Sequence, residues 1–389
     1  MSINNSKSSI SSQNNMDHTM KRLILLVLMT FSCTFVSADT LTLKAGYPES
    51  YVVKKGDTLW DIATTFLNDP WKWPRLWDVN PQIANPHLIY PGDQLTLIFI
   101  DGQPRLVRDS SSAGKPFVKK SPEGRIIAKS DAVPAIDLAL IKNYLVQNRV
   151  VDSNWFSEQP MILAGESPSR HHIIGDVVYI NNILPLHQKY GVYESGRAFF
   201  NKESGEALGQ EAILVSTGQV IESGNVSKIK LLSSFRETKA GFKVLPMEDD
   251  SLMSAYFTPK PAQLVNHASV LATESAMREA GKLNVVYLDK GTQDGVEPGN
   301  VFSIYRDGEE IVINHDGSPV PALERTAYDN IIASVSSERS IKMPDVYHGK
   351  LMVFKVFDKV SLGLIVSTER PVRVDDKLIS PDYLAFRGQ

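Results

Sequence analysis

YVVKKGDTLWDIATTFLNDPWKWPRLWDVNPQIANPHLIYPGDQLTL, residues 51–97, decides the fold of the N-terminal part of this chain. Lys55-Gly56-Asp57 near its start and Pro91-Gly92-Asp93 near its end are the same kind of turn. Each stands next to a short apolar-alternating run, so each marks one end of a strand. Tyr51-Val52-Val53 reads as the first strand and Gln94 to Leu97 as the second. Between them Asp57 or Thr58 is placed to cap a helix running through Phe66, because a short oxygen-bearing side chain satisfies the free N–H groups of a first turn. Pro70 and Pro74 interrupt the helical pattern, and Arg75 to Asn80 forms a second short helix with Pro74 in its first turn. The expected order is β-α-α-β. Four of the five tryptophans lie in this stretch. Trp71, Trp73 and Trp77 serve either as a wedge between the helices or as a surface for a sugar or a protein.

These residues resemble a LysM module at Gly56 to Trp60 (GDTLW), Ile62-Ala63, Asn80-Pro81 and Pro91 to Leu95 (PGDQL). The resemblance implies binding to glycans built on N-acetylglucosamine, chiefly peptidoglycan and chitin. It places the sugar between the loop after the first strand and the loop before the second. Here that means Gly56, Asp57, Thr58 and Leu59 on one wall, and Pro86, His87, Leu88, Ile89 and Tyr90 on the other. Rigid backbone N–H and C=O groups in a shallow groove suit an acetamido group, and glycine permits close approach. Leu59 and Ile89 equally fit a core role, Asp57 or Thr58 a helix cap, and Pro86 a turn. One such groove binds weakly, so retention at a wall depends on many copies presented together.

Lys21-Arg22, the apolar run Leu23 to Phe31 and Val36-Ser37-Ala38 read as a secretory signal over residues 1–38, cleaved after Ala38. Its apolar core is shorter than the ~20 residues that span a bilayer, and no later segment reads as a transmembrane helix. The single cysteine, Cys33, lies inside that signal, so the exported chain is expected to rely on its core and not on disulfides. A formal net charge of −3 argues against nucleic acid as a partner. The location expected is the periplasm, in contact with peptidoglycan and the outer membrane.

Residues 101–132 are rich in Ser, Gly, Pro and charge, and read as a tether after a module at 50–98. A helical stripe over Ile136 to Gln147 opens a second folded region. The rest reads as short β runs, with a possible helical interruption from Pro261 to Leu271. The β runs repeat. Val177-Val178-Tyr179-Ile180-Asn181 returns as Val285-Val286-Tyr287-Leu288-Asp289, and Gly191 to Phe199 as Gly295 to Phe302. Gly224-Asn225-Val226 aligns with Gly363-Leu364-Ile365, and Gly241 to Leu245 with Asp375 to Leu378. The expected class is therefore α+β: a βααβ module, a tether, and two related small β units over 133–255, with the leading helix, and 256–382. The second copy is similar to the C-terminal domain of the flagellar assembly protein T family. Signal, single LysM module, tether and such a domain together resemble the type IV pilus secretin-associated family. That resemblance implies an outer-membrane secretin as partner.

The rival reading is a wall-cleaving enzyme or remodelling factor, and the residues give it little support. No thiol remains after the signal, so a cysteine nucleophile is absent. The histidines outside the leader are His87, His171, His172, His187, His267, His315 and His348, with no HxH or HExxH spacing. His171 and His172 are adjacent, face opposite sides of a strand and read as surface residues. No serine sits in a G-x-S-x-G elbow. The expectation is a binding and scaffolding protein with no catalytic residues, no metal and no cofactor.

Overall fold

The computed structural model describes residues 41–77, 89–108, 136, 141, 144, 148–202, 204–247, 257–264, 267–274, 277–313, 317–320, 324–326 and 340–381. In the N-terminal module, β1 (Ser50–Val52) pairs antiparallel with β2 (Gln94–Ile100), Tyr51 opposite Leu95. Between them lie α1 (Leu59–Phe66), a 3-10 turn at Pro70–Lys72 and α2 (Trp73–Trp77). Leu59, Ile62, Ala63 and Phe66 line the buried side of α1, the spacing that brings one helix face to a core. Leu76 and Leu95 are buried as well.

One expectation about this region is corrected. The stretch expected to begin a tether at residue 101 instead makes a turn at Asp101-Gly102 and a third strand, β3 (Gln103–Arg108). It pairs along its full length with β2, from Leu95 opposite Arg108 to Ile100 opposite Gln103. Pro104 and Leu106 are buried on one face while Arg105 donates from Nη1 to the carbonyl of Arg75, 2.7 Å away in α2. Residues 109–132 lie outside the described residues, as do 78–88.

The remainder is mostly β. From the segment expected as a leading helix, Ile136, Ile141 and Tyr144 are described, Ile141 and Tyr144 in helical conformation. Then follow β4 (Asn148–Val151), α3 (Ser153–Glu158), β5 (Ile162–Gly165), β6 (Val177–Ile180), β7 (Lys189–Phe200), β8 (Ala207–Glu222), β9 (Ser227–Ser234) and β10 (Lys243–Pro246). The hydrogen-bonded order is β10-β7-β8-β9-β6-β5, with β4 added to β8. The Val244 N–H donates to Pro160 O at 2.7 Å and the Ile162 N–H to Phe242 O at 2.9 Å, so β5 meets β10 and the sheet closes on itself. Closure removes open edges.

The second sheet is built from β11 (Lys260–Pro261), β12 (Ala268–Thr273), β14 (Val285–Leu288), β15 (Asn300–Arg306), β19 (Val346–Val356), β20 (Ser361–Thr368) and β22 (Lys377–Ile379). Smaller pairings join β13 (Glu279–Ala280) to β21 (Val372–Arg373), and β16 (Glu310–Ile313) to β17 (Pro319–Val320) and β18 (Ser340–Lys342). Its order is β11-β15-β19-β20-β14-β12-β22, with β22 also paired to β15, again a closed ring. Val286, Leu288, Phe302, Ile304, Leu351, Val353 and Ile365 fill its centre. The helix expected within Pro261 to Leu271 is absent from the described part of that span: Lys260-Pro261 and Ala268 onward are strands, held by pairing with β15, β14 and β22.

Registers in the two rings correspond. Val178 stands opposite Ile229 as Val286 stands opposite Gly363, and Ile180 opposite Ser227 as Leu288 opposite Ser361. By this register the alignment of Gly224 with Gly363 does not hold: Gly224 lies in the turn before β9, whereas Gly363 lies within β20. Within that strand a Cβ at Gly363 would stand 2.8 Å from Leu351 Cδ1, which favours glycine at the position.

Candidate functional site

Two turns frame the module's candidate groove, and they are built alike. In Lys54-Lys55-Gly56-Asp57 the Asp57 N–H donates to Lys54 O (3.2 Å) and the Lys54 N–H donates to Asp57 Oδ2 (2.8 Å). In Tyr90-Pro91-Gly92-Asp93 the same two bonds run from Asp93 N–H to Tyr90 O (3.0 Å) and from Tyr90 N–H to Asp93 Oδ2 (3.0 Å). Gly56 and Gly92 have φ of 93° and 98°, the third-position geometry of a type II turn, which glycine adopts without cost. The turns are tied through Val53, whose N–H donates to Asp93 O and whose carbonyl accepts from the Gly92 N–H. The strand start thus holds the loop before the second strand.

Asp57 and Thr58 divide the work that either was expected to do. Thr58 is the cap of α1: its Oγ1 accepts from the Asp61 N–H at 3.0 Å and donates to Asp61 Oδ2 at 2.6 Å. Asp57 closes its turn and also accepts from Tyr51 Oη at 2.9 Å. Burial, and then the bond to Asp57, push the Tyr51 hydroxyl up to about 12. Tyr51 in turn stacks edge-on against Phe66, ring centres 6.5 Å apart, so the turn, the strand and the helix share one network.

Of the nine expected site residues, Gly56 is exposed, Asp57 and Tyr90 are partly exposed, and Thr58 is buried. Leu59 and Ile89 are fully buried. The two apolar side chains therefore belong to the core and face no ligand groove. Pro86, His87 and Leu88 lie outside the described residues. Trp60, Trp71, Trp73 and Trp77 are all at least 95% buried, which makes them packing residues and not an open stacking face. Among the described residues none of their indole N–H groups has an acceptor. The ammonium of Lys72 lies 5.2 Å from the Trp71 ring centre, covering that indole.

The module packs on the second β ring, a relationship the sequence did not signal. Lys350 Nζ of β19 donates to Asp69 Oδ1 at 2.8 Å, and Lys282 Nζ stands 3.7 Å from Asp61 Oδ1. Between them Gly56, Thr58, Trp60 and Asp61 line a cleft of about 180 Å³ together with Ile136, Lys282, Leu283, Leu364 and Val366.

Outside the module, the histidine pair is split. His171 is exposed and its Nδ1 lies 2.5 Å from Glu237 Oε2, whereas His172 is buried against Gly165, where a Cβ would stand 2.0 Å from the imidazole. The surface assignment is thus corrected for His172, which is buried where Gly165 leaves room for its imidazole. Among the described residues no group of three His, Cys, Asp or Glu side chains is placed to hold a metal ion. Among them also, no helix is long and apolar enough to cross a membrane.

Residues 51–97 match the LysM domain family. The chain is also 43% identical over 60 residues to the uncharacterized protein YqbP of Bacillus subtilis (strain 168), a match covering 13% of this chain and 27% of that protein. Twin Gly-Asp turns, a capped helix between antiparallel strands and these similarities agree: this chain carries, at residues 51–97, a LysM domain, a module that binds peptidoglycan and related carbohydrates.

Proposed function

We propose that the protein is a non-catalytic, exported peptidoglycan-binding protein of the periplasm that ties an envelope machine to the cell wall, with an outer-membrane secretin of the type IV pilus class as its partner. The LysM domain supplies the wall contact through Gly56, Asp57, Thr58 and Leu59 on one loop and Pro86, His87, Leu88, Ile89 and Tyr90 on the other. Leu59 and Ile89 act there through backbone groups, since their side chains are core. The observation that carries this reading is the pair of matched turns, Lys54–Asp57 and Tyr90–Asp93, which are tied through Val53 on one edge of the domain. A preorganised backbone groove suits a repetitive, polar polymer better than a flexible one, because little order is lost on binding.

The two β rings are read as repeats of one small unit that faces the partner protein. Their common strand order and register support that reading. Closed rings that offer few free strand ends suit side-chain docking and not strand addition. Many copies around a symmetric secretin would raise a weak glycan contact to stable retention. The test is co-elution of the full exported chain with a purified, detergent-solubilised secretin ring on size exclusion. Co-elution supports the assignment, and separate elution at micromolar concentrations overturns the secretin part while leaving the glycan part standing.

A further inference from the structure

The contact between the LysM domain and the second β ring falls on the loop that the glycan reading above takes as its first wall. Gly56 and Thr58 belong to that wall, and both line the cleft whose far side is Leu283, Leu364 and Val366 of the ring. The ring also reaches the residue that fixes the wall. Asp61 Oδ2 accepts from the Thr58 hydroxyl that caps α1, and Asp61 Oδ1 stands 3.7 Å from Lys282 Nζ. Beyond the other end of α1, Lys350 Nζ donates to Asp69 Oδ1 at 2.8 Å, so the ring holds the domain at two points. The joint has the marks of one that opens. Protein interiors leave few voids larger than a water molecule, yet this joint contains a cleft of about 180 Å³, and Leu283 on its ring side is 46% exposed. Lys282 and Asp61 are each about half exposed, and such pairs contribute little and weaken with salt. Domain contacts of this kind within one chain ordinarily separate and re-form.

From this geometry, and resting on the glycan reading, we infer that the second β ring is a reversible mask on the LysM domain: docked, it covers the first wall of the groove, and a wall strand binds only the domain that has left the ring. A glycan strand continues in both directions from any sugar that is gripped, whereas a cleft of this volume closed by the ring has no room for the neighbouring sugars. Docking and binding therefore exclude each other. The affinity of the full chain is lowered by the fraction of molecules in which the ring is docked. Anything that breaks the Lys350–Asp69 and Lys282–Asp61 pairs raises it.

Isothermal titration of the full exported chain with the tetramer of N-acetylglucosamine tests the mask in two directions. Asp69→Lys together with Lys282→Glu turns both attractions into repulsions. Asp69 makes no side-chain cap bond to the 3-10 turn that it precedes, and Lys282 is about half exposed, so this open variant should keep the fold, which a melting curve checks. Asp69→Cys together with Lys350→Cys places two thiols in a chain that has none after Ala38. A short bismaleimide joins them and fixes the domain on the ring, and the same variant capped with N-ethylmaleimide is its control. Expected are binding about ten-fold tighter for the open variant, the scale that two surface ion pairs sustain, and a loss of at least about ten-fold for the bridged form against its capped control. Equal or weaker binding by the open variant, or unchanged binding by the bridged form, overturns the mask and leaves the glycan reading intact. If neither the parent nor the open variant binds the tetramer, the glycan reading itself fails and this inference with it.

Discussion

Tyr287 Oη of the second ring donates to Glu211 Oε1 of the first at 2.5 Å, inside a buried contact that fastens the two rings together. Glu211 is itself addressed from its own ring. Between Ser195 and Ala198, β7 bulges, and Arg197 there directs both its N–H and its Nε at Glu211 Oε2, each at 3.3 Å. Arg197 also crosses over, donating from Nη1 to Thr273 O at 2.7 Å and lying 5.1 Å from the Tyr287 ring centre. Phe199 packs on the same ring at 4.8 Å. Gly196 is required at the bulge, since a Cβ would stand 2.7 Å from Glu211 Oε2. One carboxylate thus holds an arginine and a tyrosine from opposite rings.

Removing that carboxylate strands its partners. Glu211→Ala is expected to cost about 2 kcal/mol of stability, the scale of hydrogen bonds to a charged group, with the exposed side of Arg197 limiting the loss. Tyr287→Phe should cost somewhat less, and the double variant should fall short of the sum, since both break the same bond. Urea unfolding of the full chain measures this; additive losses would show that the two residues act separately.

Gly56 and Gly92 both have open space where a Cβ would go, so their requirement is conformational alone. Replacing either with alanine should cost about 1 kcal/mol through φ strain. Asp57→Ala, which frees both the Lys54 N–H and the Tyr51 hydroxyl, should cost about as much and loosen the first wall of the groove. Wall binding should weaken in step with lost order in these loops, read by amide exchange at Lys54 and Tyr90.

Trp73 is 1% exposed and acts as a packing residue. Trp73→Ala should cost about 3–5 kcal/mol and unfold the domain, whereas Trp73→Phe should keep both fold and glycan binding. If Trp73→Phe folds normally and loses sugar binding, the indole is instead a ligand contact.

Stability should fall between pH 10 and about 12. The Tyr51 hydroxyl is raised by burial and by its bond to Asp57, and the Tyr347 hydroxyl by burial and by nearby Glu369, each to about 12 from an ordinary 10.0. A folded-state value above the unfolded one means that the unfolded chain gives up its proton first. The contribution is therefore whole below pH 10 and lost as pH rises toward 12. Tyr51→Phe should flatten part of that fall in a series of urea midpoints, and an unchanged slope would refute the assignment.

The β-α-α-β frame was legible because it rests on local chemistry: two Gly-Asp turns, a threonine that caps and apolar residues at helical spacing. Which of Asp57 and Thr58 capped was open, since both carry the needed oxygen and only the turn geometry commits Asp57 elsewhere. Strand β3 escaped because Gln103 to Arg108 holds a proline and two arginines, and buries just Pro104 and Leu106. Its strand character comes from pairing with β2, not from propensity. His172 looked like surface for a similar reason: nothing near it in sequence announces the space left by Gly165. Lys282 and Leu283, 226 and 227 residues beyond Gly56 by number, join the cleft through tertiary packing alone.

In the function proposed above, the LysM domain is the wall anchor. The decisive experiment is co-sedimentation of the exported chain with purified peptidoglycan sacculi, beside a chain lacking residues 51–97. The intact chain should pellet with the sacculi while the shortened chain stays in solution. Pelleting of both to the same extent, or of neither, would rule out the LysM domain as the anchor.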